Sequence, residues 1–408
     1  MTAQIANDFS RDVTDEIQAL LDAPSRDVYL PGGTYKISRP LKIRSNTRLS
    51  LATDATVRLA DGVCTSMLIC ATHEVFLDST YLQRKGNQRS YPFTPPRSEI
   101  SGVTENIVIR GGCWDSNNVN MPHYSLRQLT SALQLGNIRN MLIEDLTIKD
   151  PGGFAIVLDG EYFTVQNIYF DHNLISPNMD GVHIMAPSRF GHIRDIKGPT
   201  NDDMVALNAG EGARRGHITD ISVDGVYAEN CYTGVRLLST YDSYVERVSL
   251  SNIYGSFRYN AVSITHHNLH PGTSIWFDHI SISNVFTSKA GPELRRPNMY
   301  EKMDHWGREI TPMIWFATGV RCGHMALSNI WRNERTDTAA ELIRVDEDVQ
   351  IERLHLTDIT EKRLLRRETP MIYNAGEIEE LRLDRVSSSD VRFVNEGNIN
   401  KLIDRDQI

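Results

Sequence analysis

The chain of 408 residues has no apolar run near the ~20 residues that a bilayer-spanning helix needs, so no membrane partner is expected. Basic clusters are scarce as well. Outside "LRRPN" and "EKRLLRRE" no basic run exceeds two or three residues, and the formal net charge is -9. That balance excludes nucleic acid as a natural partner, because holding a phosphate backbone takes a basic surface. Cysteine is sparse and odd in number. Cys64, Cys70, Cys113, Cys231 and Cys322 form neither a CxxC pair nor a Cys/His cluster, which excludes a disulfide framework and a zinc ribbon. They read as reduced core residues. The opening "MTAQIANDFSRDVTDEIQALLDA" lacks a basic n-region and an apolar h-region. The expectation is a soluble, cytoplasmic chain, or a secreted one whose signal peptide was trimmed.

Helical periodicity is nearly absent too. Residues 11–27 alone carry it, with Thr14 as N-cap and Ile17, Leu20 and Leu21 on one face. With 40% hydrophobic residues the chain can bury a large core, as two or three domains or as one long repeat array. A repeat is present. The runs "DLTIKD", "NIYFDH", "DISVDGV", "RVSLSNI", "HISISNV", "HMALSNI", "RLHLTDI" and "ELRLDRV", with "DIKG" as a truncated member, share one apolar-polar alternation. Their first apolar residues are Leu146, Ile168, Ile196, Ile221, Val248, Ile280, Met325, Leu354 and Leu381, in steps of 22, 28, 25, 27, 32, 45, 29 and 27 residues.

Such period-two segments, punctuated by Gly, Asn and Asp, are strands rather than helices. The leucine-rich ladder is missing, and β-branched segments are poor material for helical repeats. The pattern predicts an all-β, right-handed parallel β-helix, a single solenoid domain over 1–408 with residues 1–27 as a cap over its open end. Turns such as "SNI" and "TDI" should point outward with Asn in the left-handed region, stacked coil upon coil. Two insertions, 75–99 and 289–311, break the period and are expected to be loops beside a groove.

Within "NMDGVHIMAPSRFGHIRDIKGPTNDDMVALNAG", Asp180 is followed 22 residues later by the adjacent pair Asp202 and Asp203. A lone Asp in a turn is usually a turn-former. Acidic turns one repeat apart could instead be a catalytic set. Residues one coil apart lie ~4.8 Å apart along the axis, and crowded carboxylates raise one pKa, which supplies a proton donor.

These residues resemble a known family. "DEIQALLDAPSRDVYLPGGTYKISRPLKIRSNTRLSLATDATVRLA" is similar to the entry of pectin-degrading β-helix proteins. "NMDGVHI", "NDDMVALNAG" and "GVRLLS" resemble three successive motifs of polygalacturonase-type glycoside hydrolases, family 28. The resemblance runs from about residue 14 to 260. It implies an inverting hydrolase whose catalytic carboxylates are Asp180, Asp202 and Asp203, with Asn178 supporting the first. It also implies that Arg236 binds a sugar carboxylate. Leu238 stands where the family has a Lys, and the family's Gly-His-Gly motif is absent, so the sugar is either neutral or a uronate held differently. His217 is the nearest imidazole to that missing motif, but it shares a register with His192, which points to a structural stack.

Asn201, His183, Tyr241, His266 and His267 join Asn178, Arg236 and His217 as candidate substrate-binding residues. Glu211, Asp224 and Arg258 fall near the same groove by register. Tyr244, Trp276 and Trp306 are candidate sugar-stacking rings. His266, His267 and His270 lack the spacing of a known metal site, so no metal or other cofactor is expected. The partner implied is a uronate-containing or plant-type poly- or oligosaccharide, and a homo-oligomer is compatible with the sequence. Three alternatives stay open: a lyase using Ca²⁺ held by carboxylates, an epimerase or transferase on the same scaffold, and a non-catalytic glycan-binding or tail-fibre-like β-helix.

Overall fold

The computed structural model describes residues 5–72, 102–121, 130–211, 215–267, 274–291, 311–365 and 368–407. The segment 75–99, most of 289–311, His270 and Trp306 lie outside the described residues. The chain divides into two compact units, Met1–Asn201 with Glu211–Arg215, and Asp202–Gly210 with Gly216–Ile408.

Each unit is built as parallel strands that return to the same three faces, which is the architecture of a right-handed parallel β-helix. In the first unit one face stacks Val28, Leu49, Ile109, Ile143, Val165 and Ile193 in register. A second face stacks Leu146, Ile168 and Ile196. A third stacks Leu41, Leu68, Leu133, Ile156 and Val182. In the second unit the corresponding columns begin with Ile218, Ile221 and Val205. The middle one runs Ile221, Val248, Ile280, Met325, Leu354 and Leu381, the very residues the repeat singled out. All of these side chains are buried. Each buried aliphatic side chain contributes roughly 1.5–3 kcal/mol, so the columns hold the coils together.

The N-terminal helix spans Thr14–Asp22 and buries Ile17 and Leu21, while Leu20 is only half-buried. Its N-cap is Val13, not the expected Thr14. The reason is Asp12, whose Oδ1 accepts the Thr14 amide at 2.9 Å and the Thr14 hydroxyl at 2.5 Å, so the capping carboxylate comes from one residue further back. Gln18 shows how the helix blunts the open end of the solenoid. Its amide oxygen accepts the Lys42 N–H at 2.8 Å and its amide nitrogen donates to the Lys42 carbonyl at 3.1 Å, so an edge strand finds both partners in one side chain.

The expected asparagine turns are present. Asn252, Asn284 and Asn329 all have φ between 52° and 58°. Their amides donate up the column, Asn329 to Asn284 at 2.8 Å, Asn284 to Asn252 at 3.1 Å, and Asn252 to Asp224 at 2.6 Å. Asp224 is thus the end of a turn ladder rather than a groove residue. Gly160 marks the tightest backbone approach in the first unit: a Cβ there would lie 2.0 Å from the Ile138 carbonyl oxygen, at a φ of +143°.

Charge is also buried in the second unit. Arg332 is fully buried and donates to Glu334 at 2.9 and 2.7 Å, and to Glu361 at 3.1 Å. Arg363 donates to the other oxygen of Glu361 at 3.0 Å. The Ala340 carbonyl accepts from both guanidinium groups. Two cations and two anions cancel, which is what lets them leave water.

Candidate functional site

In the first unit the turn before the strand Val182–Met185 carries Asp180 at a buried position. Alternation along that strand sends Val182 and Ile184 into the column with Ile156 and Leu158, and turns His183 the other way. Its ring stacks on Phe154, with centroids 4.1 Å apart and planes 10° apart. Its Nδ1 lies 2.8 Å from Asp180 Oδ2 and its Nε2 lies 2.8 Å from Glu211 Oε2. Burial alone would lower the imidazole pKa. The Glu211 charge and hydrogen bonds to Asp180 and Glu211 overcome that and push it up to about 10.

His183 is therefore an imidazolium clamped between two carboxylates, both ring nitrogens donating. It was expected to bind substrate, but with 1% exposure and both nitrogens committed it orients Asp180 instead. Glu211, expected near the sugar, is the second half of the clamp. The spacing of Glu211, 28 residues after His183 and so one repeat on, is the signal that could have revealed it. Asn201 is likewise structural. Its side-chain amide donates to the Ser176 carbonyl at 2.7 Å and its backbone N–H to Met179 at 3.2 Å, bracing the turn that holds Asp180. Asn178 supplies that turn's left-handed residue, with φ 55°.

In the second unit Asp203 opens the strand Asp203–Ala209, next in register to Thr233 and then Asn260. Asp202 and Asp203 are both buried. Val235 and Leu237 point inward, so Arg236 points out, half-buried. Its Nη1 lies 3.6 Å from Asp203 Oδ2, and its Nε donates to Thr265 Oγ1 at 2.9 Å. Leu238 is fully buried.

His266, beside Thr265, is buried and its Nε2 lies 2.7 Å from the Thr318 carbonyl. Burial pushes its pKa down, and the nearby His267 and Arg236 charges add to that. His267 is exposed, and its carbonyl accepts the Thr240 hydroxyl at 2.8 Å. Tyr241 is half-buried in the left-handed turn that follows, with φ 53°.

His217 does not join this group. It stacks on Tyr244, with centroids 3.5 Å apart, and lies 3.3 Å from the Tyr244 amide, so ring packing claims it, as the shared register with His192 suggested. Tyr244 is occupied by the same stack, and Trp276 is its register neighbour in the next coil. Arg258 donates to the Asn230 carbonyl at 3.0 Å and lies over the Tyr232 ring.

One outward row went unread in the sequence. Arg236, Ser263, Trp315, Arg344 and Tyr373 succeed one another in register, with Trp315 and Arg344 both donating to Asp346 at 2.8 Å.

The raised pKa of His183 gives a prediction with a definite sign. The folded state binds this proton up to about pH 10, whereas an unfolded imidazole releases it near pH 6.5. Folding is favoured in full below about 6.5, and the contribution is lost as pH rises through about 10. Thermal melts between pH 6 and 10 should show a falling midpoint whose slope is shallower in His183→Gln. Identical slopes would overturn the clamp.

Comparisons with known proteins bear on the fold. Residues 2–184 match the family model "Rhamnogalacturonase A/epimerase, pectate lyase-like". No curated protein matches the chain. Among solved structures, the endo-xylogalacturonan hydrolase from Aspergillus tubingensis is 12% identical with a TM-score of 0.55, over 97% of this chain and 98% of that one. A tailspike protein of E. coli bacteriophage HK620 is 13% identical with a TM-score of 0.59, over 92% and 62%. The surface adhesin PfbA of Streptococcus pneumoniae is 13% identical with a TM-score of 0.53, over 98% and 91%. At such identities these likenesses show the fold, a parallel β-helix.

Proposed function

We propose that the protein is an inverting glycoside hydrolase acting on a uronate-containing or plant-type poly- or oligosaccharide, with Asp180, Asp202 and Asp203 as its reacting carboxylates. The observation that carries this reading is the burial of all three at the positions that match the motifs of the resembled family, Asp180 in a turn and Asp202 and Asp203 at the start of the strand Asp203–Ala209. Hydrolysis with inversion needs one carboxyl to protonate the leaving oxygen and another to activate water. Asp180, accepting a hydrogen bond from the His183 imidazolium, suits the second role. Asp202 or Asp203 then gives the proton. Arg236 is a guanidinium with partial exposure, suited to a sugar carboxylate. The matched family model, which names an epimerase beside a rhamnogalacturonase, favours sugar epimerisation as the second reading.

The test incubates the full chain with rhamnogalacturonan, xylogalacturonan and homogalacturonan oligosaccharides and follows the anomeric protons by NMR. A new reducing end that appears first as the inverted anomer supports the proposal. Unsaturated ends would make it a lyase, altered ring stereochemistry without cleavage an epimerase, and binding without turnover a glycan-binding protein. Homogalacturonan should be the poorest of the three, because Leu238 is a buried aliphatic where the resemblance calls for an ammonium.

A further inference from the structure

The second unit carries a second set of chemistry-bearing side chains, on a solvent corner. Asp278 sits near the start of the strand Trp276–Lys289 with His279 beside it, and His324 lies near the start of the strand Arg321–Glu334 in the next coil. One carboxylate faces two imidazoles. Asp278 Oδ2 is 3.0 Å from His279 Nδ1, and Asp278 Oδ1 is 3.2 Å from His324 Nδ1. The two rings lie side by side, with centroids 5.0 Å apart and planes 26° apart. We infer that Asp278, His279 and His324 form a binding site for a late first-row divalent cation of the zinc type.

The donor set decides the class of ion. Two imidazole nitrogens and one carboxylate oxygen suit Zn²⁺ and its neighbours, whereas Ca²⁺ and Mg²⁺ take oxygen ligands. The geometry is close to what coordination requires. Four-coordinate zinc with bonds of ~2.0–2.1 Å holds neighbouring donor atoms roughly 3.3 Å apart. The three candidate ligand atoms all lie within 4.8 Å of one another, and each imidazole already stands near that spacing from one of the two Asp278 oxygens, His279 from Oδ2 and His324 from Oδ1. Water would complete the tetrahedron.

The carboxylate is also held in advance. Asp278 Oδ1 accepts the backbone N–H of His279 at 2.8 Å and of His324 at 2.7 Å, so its position does not depend on a cation. Gly323 makes the room: a Cβ there would meet Asp278 Oδ1 at 2.2 Å. Elsewhere on this corner arginine takes the carboxylate, as Arg247 does with Asp220. A guanidinium has no lone pair to give a metal, and an imidazole does.

One proton must move within a ring. Arg353 Nη1 lies 3.0 Å from His324 Nε2, so that nitrogen accepts and Nδ1 carries the hydrogen. Binding at Nδ1 shifts the hydrogen to Nε2 and releases Arg353, which is exposed, to solvent. The site would tie together two coils whose facing residues, Asp278 and His324, stand 46 positions apart, and closing a long excursion favours the folded chain.

The experiment is calorimetric titration of chelator-treated full-length protein with zinc chloride, with melting curves in parallel. One saturable zinc per chain and a raised melting midpoint are expected, with affinity weakened about tenfold or more in Asp278→Asn, His279→Ala, His324→Ala and Gly323→Ala. Arg353→Ala should bind several-fold more tightly. His279 is 61% exposed, so His279→Ala keeps the test valid if another variant fails to fold. Absence of a saturable zinc, or unchanged affinity in His279→Ala, would overturn the site. Weaker binding in Arg353→Ala would overturn Nδ1 of His324 as the ligand atom.

Discussion

Asp202→Asn and Asp203→Asn should each lower kcat by at least about 10²–10⁴-fold, the range that proton transfer by a positioned side chain supplies. The double variant should cost little more than the worse single one, because residues that act as a unit are far from additive. Asp180→Asn should behave differently on one axis. It also removes one of the two anions around the buried His183 imidazolium, so its melting midpoint falls as well, toward the ~3–5 kcal/mol seen when a buried pair loses a member. Its turnover must therefore be expressed per folded molecule.

Arg236→Gln should raise KM or change sugar preference more than it lowers kcat. Steady-state kinetics on the best oligosaccharide from the product screen, with melting curves for every variant, separates these outcomes. If Asp202→Asn and Asp203→Asn keep parental turnover per folded molecule, the carboxylates are structural and the hydrolase proposal fails.

Glu361→Gln should lower the melting midpoint of the second unit by about 10 °C. Arg332, Arg363, Glu334 and Glu361 share one buried network, and removing one anion leaves two guanidinium groups against a single carboxylate. Breaking a buried pair costs about 3–5 kcal/mol, and each kcal/mol moves the midpoint of a unit of this size by roughly 2–4 °C. Replacing Arg332, Arg363, Glu334 and Glu361 together by apolar residues of similar size should recover much of that loss, since no buried charge is then left without its partner. Calorimetry checks both. A shift in Glu361→Gln within ~2 °C would mean that the network contributes little and that water reaches it.

The sequence by itself determined the coil. Leu146, Ile168, Ile221, Val248, Ile280, Leu354 and Leu381 all point inward, because strand alternation is a local property that any one coil displays. The left-handed asparagines at 252, 284 and 329 were legible for the same reason, since αL tolerance belongs to the residue itself. So was the N-terminal helix, although its N-cap is Val13, with the Asp12 carboxylate accepting both the Thr14 amide and the Thr14 hydroxyl.

Tertiary structure alone decided who meets whom. His183 was read as a substrate ligand and turned out to be clamped by Asp180 and Glu211. Asn201 was read the same way and instead braces a turn. Asp278, His279 and His324 drew no notice because 46 residues separate the carboxylate from the second imidazole. Coil lengths in this chain vary, with register partners among the described residues between 21 positions apart (Val28 and Leu49) and 65 (Leu68 and Leu133), so spacing along the sequence does not fix which side chains become neighbours across coils. That pairing is set by how far each coil strays before returning to the stack, a quantity stored in the packing of the columns rather than in any one segment.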